Sequence, residues 1–314
     1  MLGGGSRPEN IASALRWACE VEVNAPKPGN VSVAAPGHGM TASDFLASAA
    51  AAAAPLARPG AGVGERILAA VESTRAAVQC NTNLGIILLA APLAHAALAA
   101  SHGHQLRSGV EEVLAGLTIA DAELAYRAIR LANPGGLGSA ERHDVSESPK
   151  VTLLTAMREA WQRDSIARQY ATGYWDVFEH GAPLYRACAR RWDSPEWAAV
   201  AVYLDFLVRF PDSHIARKAG PGEAARVSRE AAPFAIALQQ SDNPEQMAHR
   251  MLEWDSRLKQ QGHNPGTSAD LTVASMLAVR LQDLLEQELT DRAPGNGARG
   301  KSTGDRSRTL STTL

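Results

Sequence analysis

The sequence predicts an all-α fold, a single multi-helix globular domain in which polar loops at helix N-termini form a pocket. Three observations predict it. Alanine supplies much of a 45% hydrophobic fraction while aromatics make up only 5%, and alanine both favours helix and lets helices approach closely. Apolar residues recur near a 3.6-residue period in segment after segment, and no run alternates as a strand would. Three stretches, Thr41-x-x-Asp44, Thr118-x-x-Asp121 and Thr267-x-x-Asp270, have the spacing of a capping box. A chain of 314 residues can bury a sizeable core. Its net charge of -2 argues against broad attraction to nucleic acid or an anionic membrane.

Residues 1–8 are Gly-rich, lack the apolar core of a signal peptide and are expected to be flexible. The helical domain is expected over residues 9–290. Asn10 can cap a first helix bearing Ile11, Leu15, Ala18 and Val21, which Pro26, Pro28 and Gly29 terminate. The loop 25–32 (APKPGNVS) then presents Lys27 on a stiff Pro-x-Pro frame. A second Pro/Gly loop, 34–40, contains His38, and helices 42–55 and 65–79 follow. Cys80-Asn81-Thr82-Asn83 precedes an apolar helix, 84–100, that Pro92 and His95 interrupt and that is short for a bilayer; it reads as a core helix. Residues 101–108, with His102 and His104, read as an exposed turn.

Helices 109–117 and 119–132 lead to a long loop, 133–149 (NPGGLGSAERHDVSESP). No strand precedes Gly135-Gly136-x-Gly138, so it is not a dinucleotide fingerprint. His143 and Asp144, with Glu147, could ligate a divalent metal. Residues 163–178 are dense in Arg and aromatics, and Arg168 is expected to point into a pocket. Helices 183–191 and 195–210 run into residues 209–220 (RFPDSHIARKAG), which gather Asp212, His214, Arg217 and Lys218. Helices 222–240 and 244–261 precede the loop 262–271 and a last helix, 272–289. Residues 291–314 have the composition of a disordered tail. Three widely spaced cysteines give no disulfide framework and suit a reducing, cytoplasmic setting.

Four loops share a pattern. Pro26-Lys27-Pro28-Gly29-x-Val31, Asn81-Thr82-x-x-Gly85, Asp212-Ser213-His214-x-Ala216-x-Lys218-x-Gly220 and Pro265-Gly266-x-Ser268-Ala269-Asp270-Leu271 together resemble the motifs of the triphosphoribosyl-dephospho-CoA synthase family, in order and in approximate spacing. The resemblance implies a helical enzyme that breaks the glycosidic bond of ATP, releases adenine and joins the ribosyl triphosphate to dephospho-CoA. The chain resembles a divergent branch. Ala167-Arg168-Gln169-Tyr170-Ala171 lacks the acidic residue of the family's motif there, with Tyr170 in its place, His214 replaces an Asn, Arg217 replaces a Ser, and His143-Asp144-Val145 has no counterpart in the family pattern. It is also similar to homologues linked with tetrahydromethanopterin C1 metabolism, where a phosphoribosyl unit is attached to a ribitol hydroxyl.

Substitution at a ribosyl carbon passes through an oxocarbenium-like state. It needs a carboxylate for the acceptor proton, a proton donor for the leaving base, and cations for the polyphosphate. Asp212, Asp270 and His214 are the expected catalytic residues, with the choice of base left open between the carboxylates. Lys27, Asn81, Thr82, Arg168, Arg217, Lys218, Asn264 and Ser268 are the expected phosphate and nucleotide contacts. Mg²⁺ is expected with the polyphosphate, and Asp144, His143 and Asp212 are candidate ligands. The partners implied are ATP or phosphoribosyl pyrophosphate as donor and dephospho-CoA or a pterin-linked ribitol as acceptor, with homo-oligomerisation left open. Two other readings compete: a metal-dependent phosphohydrolase using His143-Asp144 with His95 or His102, and a noncatalytic helical scaffold whose polar loops face apart.

Overall fold

The computed structural model describes residues 5–101 and 105–292. His102, His104 and the tail beyond residue 292 lie outside the described residues, as do residues 1–4 of the Gly-rich start. Among the described residues the chain forms fourteen α-helices, a π-helical turn and a 3₁₀ turn. Two isolated bridges, Ser32 with Ala35 and Gly37 with Met40, are the only β pairing there. The expected all-α class is therefore what the chain adopts.

Helix α1 (Arg7–Asn24) begins earlier than expected, because Ser6 and Glu9 form the capping box that Asn10 was expected to replace. Helices α2 (Ala42–Leu56) and α3 (Val63–Val78) follow, and both pack as a pair on α1 or on a later helix, α6. Helix α4 (Leu84–Ala99) is buried along nearly its whole length, as an all-round apolar helix must be. Pro92 lacks the N–H that would bond the Leu88 carbonyl four residues back. The Tyr170 hydroxyl donates to that carbonyl instead, at 2.7 Å, and Tyr174 donates to the Leu89 carbonyl at 2.9 Å. The aromatic stripe of residues 163–178 is thus an anchor for α4.

Helices α5 (Leu106–Ala115), α6 (Ile119–Ala132), α7 (Leu153–Ala160) and α8 (Ser165–Thr172) come next. A π-helical turn, Val177–Gly181, leads into α9 (Ala182–Trp192). A Cβ at Gly181 would lie 2.0 Å from the Ser275 hydroxyl, so only glycine lets this turn approach the last helix. Helix α10 (Pro195–Arg209) is followed by α11 (Ser213–Ala219), where an irregular polar loop was expected. Helices α12 (Pro221–Gln240) and α13 (Ala248–Gln260) complete the outer wall.

Helix α14 (Gly266–Arg292) runs through the middle and packs against α1, α4, α9 and α10. It starts at Gly266, six residues before the expected Thr272, because Pro265 suits the position before a helix and Asp212 satisfies the Ser268 N–H. Thr267 and Asp270 consequently form no capping box. The Thr267 hydroxyl is buried without a partner, and Asp270 is left free for another task.

Candidate active site

Five helix starts converge on one cleft of about 970 Å³. Its lining includes Asn81, Thr82 and Gly85 at the start of α4, and Asp164 and Ile166 at the start of α8. His214, Pro221 and Gly266 come from the starts of α11, α12 and α14. Helix N-termini carry unpaired N–H groups and a partial positive charge, so this arrangement favours anionic ligands. The polar loops therefore face one another, which is not what a scaffold with dispersed loops would show.

Asp270 is the chemically distinctive group in the cleft. It lines the wall beside Gly85 and Glu22, and its carboxylate has no hydrogen bond or ion pair among the described residues. Desolvation and then the neighbouring Glu22 and Asp212 push its pKa well above the usual carboxylate range. Space for it comes from Gly85. A Cβ there would sit 2.0 Å from Asp270 Oδ2, so the Gly of Asn81-Thr82-x-x-Gly85 exists to admit this carboxylate. The Asn81 side chain accepts from Leu84 N–H at 3.2 Å, and the Thr82 hydroxyl pairs with Ser48.

Asp212 has a different place. It is 2% exposed and does not line the cleft. Its Oδ1 accepts from the N–H groups of His214 and Ile215 at 2.9 and 3.2 Å, capping α11. Its Oδ2 accepts from the N–H and hydroxyl of Ser268, both at 2.8 Å. Four hydrogen bonds occupy the carboxylate, so it serves as the tie between the starts of α11 and α14. Ser268, expected to touch nucleotide, is its buried partner.

Lys27 is likewise turned inward. It is 1% exposed, pairs with Glu22 at 3.1 Å and donates to the carbonyls of Ala25, Val31 and Glu22. Burial raises the Glu22 carboxyl, and Lys27 opposes that shift. The Pro-x-Pro loop meets the cleft through Asn30 instead, whose amide donates to Asn264 Oδ1 at 2.8 Å. Gly29 (φ 83°) allows this docking, since a Cβ would lie 2.9 Å from the Pro265 ring.

His214 lines the cleft and fits there because Gly266 has no side chain; a Cβ would stand 2.6 Å from its Nδ1. Burial, with Arg217, Lys218 and His38 nearby, lowers its pKa to about 3. The ring is neutral at neutral pH, so it can orient a hydroxyl but does not carry a proton to the leaving base. Arg217 lines the cleft and pairs with Asp164 at 2.7 Å. Lys218 is exposed and lies over Gly135. Arg168 does not line the cleft: Asp176 holds it at 2.7 Å, and Trp161 and Phe210 flank it. Arg163, five residues earlier, is an exposed arginine in the cleft wall, as is Arg142.

The loop between α6 and α7 roofs the cleft. Asp144 Oδ1 accepts from the Ser146 N–H and hydroxyl at 2.8 and 2.6 Å, and Oδ2 accepts from Ala140 N–H. These bonds, led by the Ser146 hydroxyl, lower its pKa to about 2. The His143 carbonyl accepts from Tyr126 at 2.8 Å, and Arg142 pairs with Glu159 at 2.7 Å. His143 and Asp144 therefore shape the roof. Among the described residues no three His, Cys, Asp or Glu side chains are grouped to hold a metal. His95 is absent from the cleft lining; it feels Arg66 and Asp121 instead.

The family profile described as ATP:dephospho-CoA triphosphoribosyl transferase matches residues 8–289. This chain belongs to the ATP:dephospho-CoA triphosphoribosyl transferase family. It is similar to a crystal structure from Archaeoglobus fulgidus, provisionally assigned as a triphosphoribosyl-dephospho-CoA synthase. The TM-score is 0.59 at 26% identity, over 76% of this chain and 98% of that chain. No curated protein matches. As a member of this transferase family, the chain is an enzyme whose four family motifs all contribute to one cleft or to the loops that build it. No helix among the described residues is long and apolar enough to cross a membrane.

Sequence reasoning missed Glu22, Asn30, Asp164 and Arg163. Glu22 had a signal: a carboxylate on the inward face of α1, in register with Leu15 and Ala18. Asp164 had another, as an Asp before a helical run in Asp164-Ser165-Ile166.

Proposed function

We propose that this chain transfers a triphosphoribosyl group from ATP to a hydroxyl of dephospho-CoA, with Asp270 as the general base. The acceptor oxygen bonds to the ribose C1, the bond from C1 to adenine N9 breaks, the hydroxyl proton passes to the Asp270 carboxylate, and that proton is returned through solvent to the departing adenine. The observation that carries this reading is the unpartnered carboxylate of Asp270 in the cleft. A raised pKa makes the ionised group a stronger base. The converging helix starts supply the field for the polyphosphate, and the neutral His214 and the amides of Asn81 and Asn264 can hold hydroxyls.

The donor set does not hold Mg²⁺ by itself. Asp270 is the base, and Glu22 is paired with Lys27 at 3.1 Å. Asp144 and Asp212 have their oxygens already committed. Mg²⁺ would be held by the substrate phosphates and water, and would supply charge neutralisation there.

A second acceptor is favoured by a specific observation. His214 and Arg217, two positions where the chain departs from the family motifs, both line the cleft. A pterin-linked ribitol hydroxyl is the alternative acceptor, with ATP or phosphoribosyl pyrophosphate as donor. The test is to incubate purified protein with each donor and each acceptor and to follow adenine or pyrophosphate release. Adenine release that depends on dephospho-CoA supports the first reading. Release that depends only on the ribitol acceptor supports the second, and no release with any pair contradicts both.

A further inference from the structure

The cleft wall carries three charged groups that the proposed chemistry does not use: Arg163, Asp164 and Arg217. Arg163 lines the cleft, is exposed, and has no side-chain partner among the described residues. The next residue, Asp164, divides its two oxygens. Oδ1 caps α8 by accepting from Ile166 and Ala167 N–H at 2.9 and 3.1 Å, and Oδ2 accepts from Arg217 at 2.7 Å. Both partners of that ion pair are about a quarter exposed, 27% for Arg217 and 26% for Asp164. The pair is part-buried but reached from the cleft, so an anion bound there can compete with Asp164 for Arg217. Asp270 lines the same cleft.

We infer that Arg163 and Arg217 form a clamp for the outermost phosphate of the donor, and that Asp164 occupies Arg217 until that phosphate arrives. This rests on the proposed transfer from a nucleoside triphosphate. With the ribose C1 placed at Asp270, the 5′-polyphosphate leads away from it along the cleft that Arg163 and Arg217 also line. A guanidinium released from a carboxylate can engage phosphate through the same planar fork. Arg217 stands where the family motif has a Ser, so the clamp is this chain's own addition. Arg163 precedes Asp164 in the chain and Arg217 is paired with it, so a phosphate that replaces the Asp164 contact leaves Arg217 paired. Asp164 keeps its capping role throughout, because that role uses the other oxygen.

The test uses inorganic triphosphate as the probe, with calorimetric titration of the full chain and its variants. Arg163→Ala and Arg217→Ser should each weaken triphosphate binding about tenfold while leaving the melting temperature within about a degree. Asp164→Asn keeps a capping side chain but frees Arg217, so it should bind triphosphate severalfold more tightly. A merely structural ion pair predicts the opposite, with Asp164→Asn losing stability and gaining no affinity. The clamp is overturned if wild-type protein does not bind triphosphate, if either arginine variant binds it unchanged, or if Asp164→Asn binds it no more tightly than wild type. Adenine release from ATP is scored separately. Triphosphate binding that follows these expectations without adenine release would sink the transferase reading and leave the clamp standing.

Discussion

Asp270 and His214 face the same cleft with opposite electrostatic histories. The Asp270 carboxyl is held protonated to higher pH by desolvation and by Glu22. A base must be ionised, so the rate of adenine release should rise with pH through the raised Asp270 pKa and then level off. His214, with its pKa lowered to about 3, should add no step between pH 5 and 8. His214→Asn, which restores the family's neutral amide, should keep that profile. Linkage gives a second readout. A carboxyl whose folded pKa is raised favours the fold below its unfolded pKa, and that contribution is lost as pH rises through the folded pKa. Asp270→Asn should therefore melt no lower than wild type at neutral pH, and higher above the raised pKa, while losing activity. Gly85→Ala displaces the carboxylate that needs the space at 2.0 Å, and should cost at least about tenfold in rate with the fold intact.

At the scale of elements, the site depends on how helices α11 and α14 are joined. Asp212→Ala removes a helix cap and leaves the Ser268 N–H and hydroxyl buried without acceptors. The expected cost is about 2–4 kcal/mol in urea unfolding, with activity falling alongside stability. The sequence already held the sign of this element: an Asp before Ser-His-Ile-Ala-Arg-Lys-Ala is a cap before helix-forming residues. The density of charge masked it and suggested a loop with a catalytic carboxylate. The start of α14 was hidden for a different reason. Thr267-x-x-Asp270 reads as a local capping box, whereas the cap comes from Asp212, which sequence spacing cannot reveal. Arg168 and Arg163 were indistinguishable as letters in one arginine-rich run, and only packing against Asp176, Trp161 and Phe210 separates them. Helices with strong 3.6 periodicity, such as α6, were legible to the residue.

At the scale of the molecule, the helix starts converge because α14 and α4 cross the interior and the polar loops cap one end of that core. The loops were legible as motifs, but their convergence was legible only through the family resemblance. A ligand that binds the folded cleft stabilises the whole chain by mass action, about 2.7 kcal/mol at a hundred times its dissociation constant. ATP with Mg²⁺ should accordingly raise the melting temperature by several degrees, and a chelator should reduce that rise. The roof between α6 and α7 should respond as well. Asp144→Ala releases Ala140 and Ser146, and should raise KM with the helical fold intact.

The most direct test of the central claim is adenine release by wild type and Asp270→Asn at matched pH, with ATP and dephospho-CoA. Asp270→Asn is predicted to lose at least about a hundredfold in rate while ATP affinity and melting temperature hold. Adenine release by Asp270→Asn at the wild-type rate would contradict the assignment of Asp270 as the base.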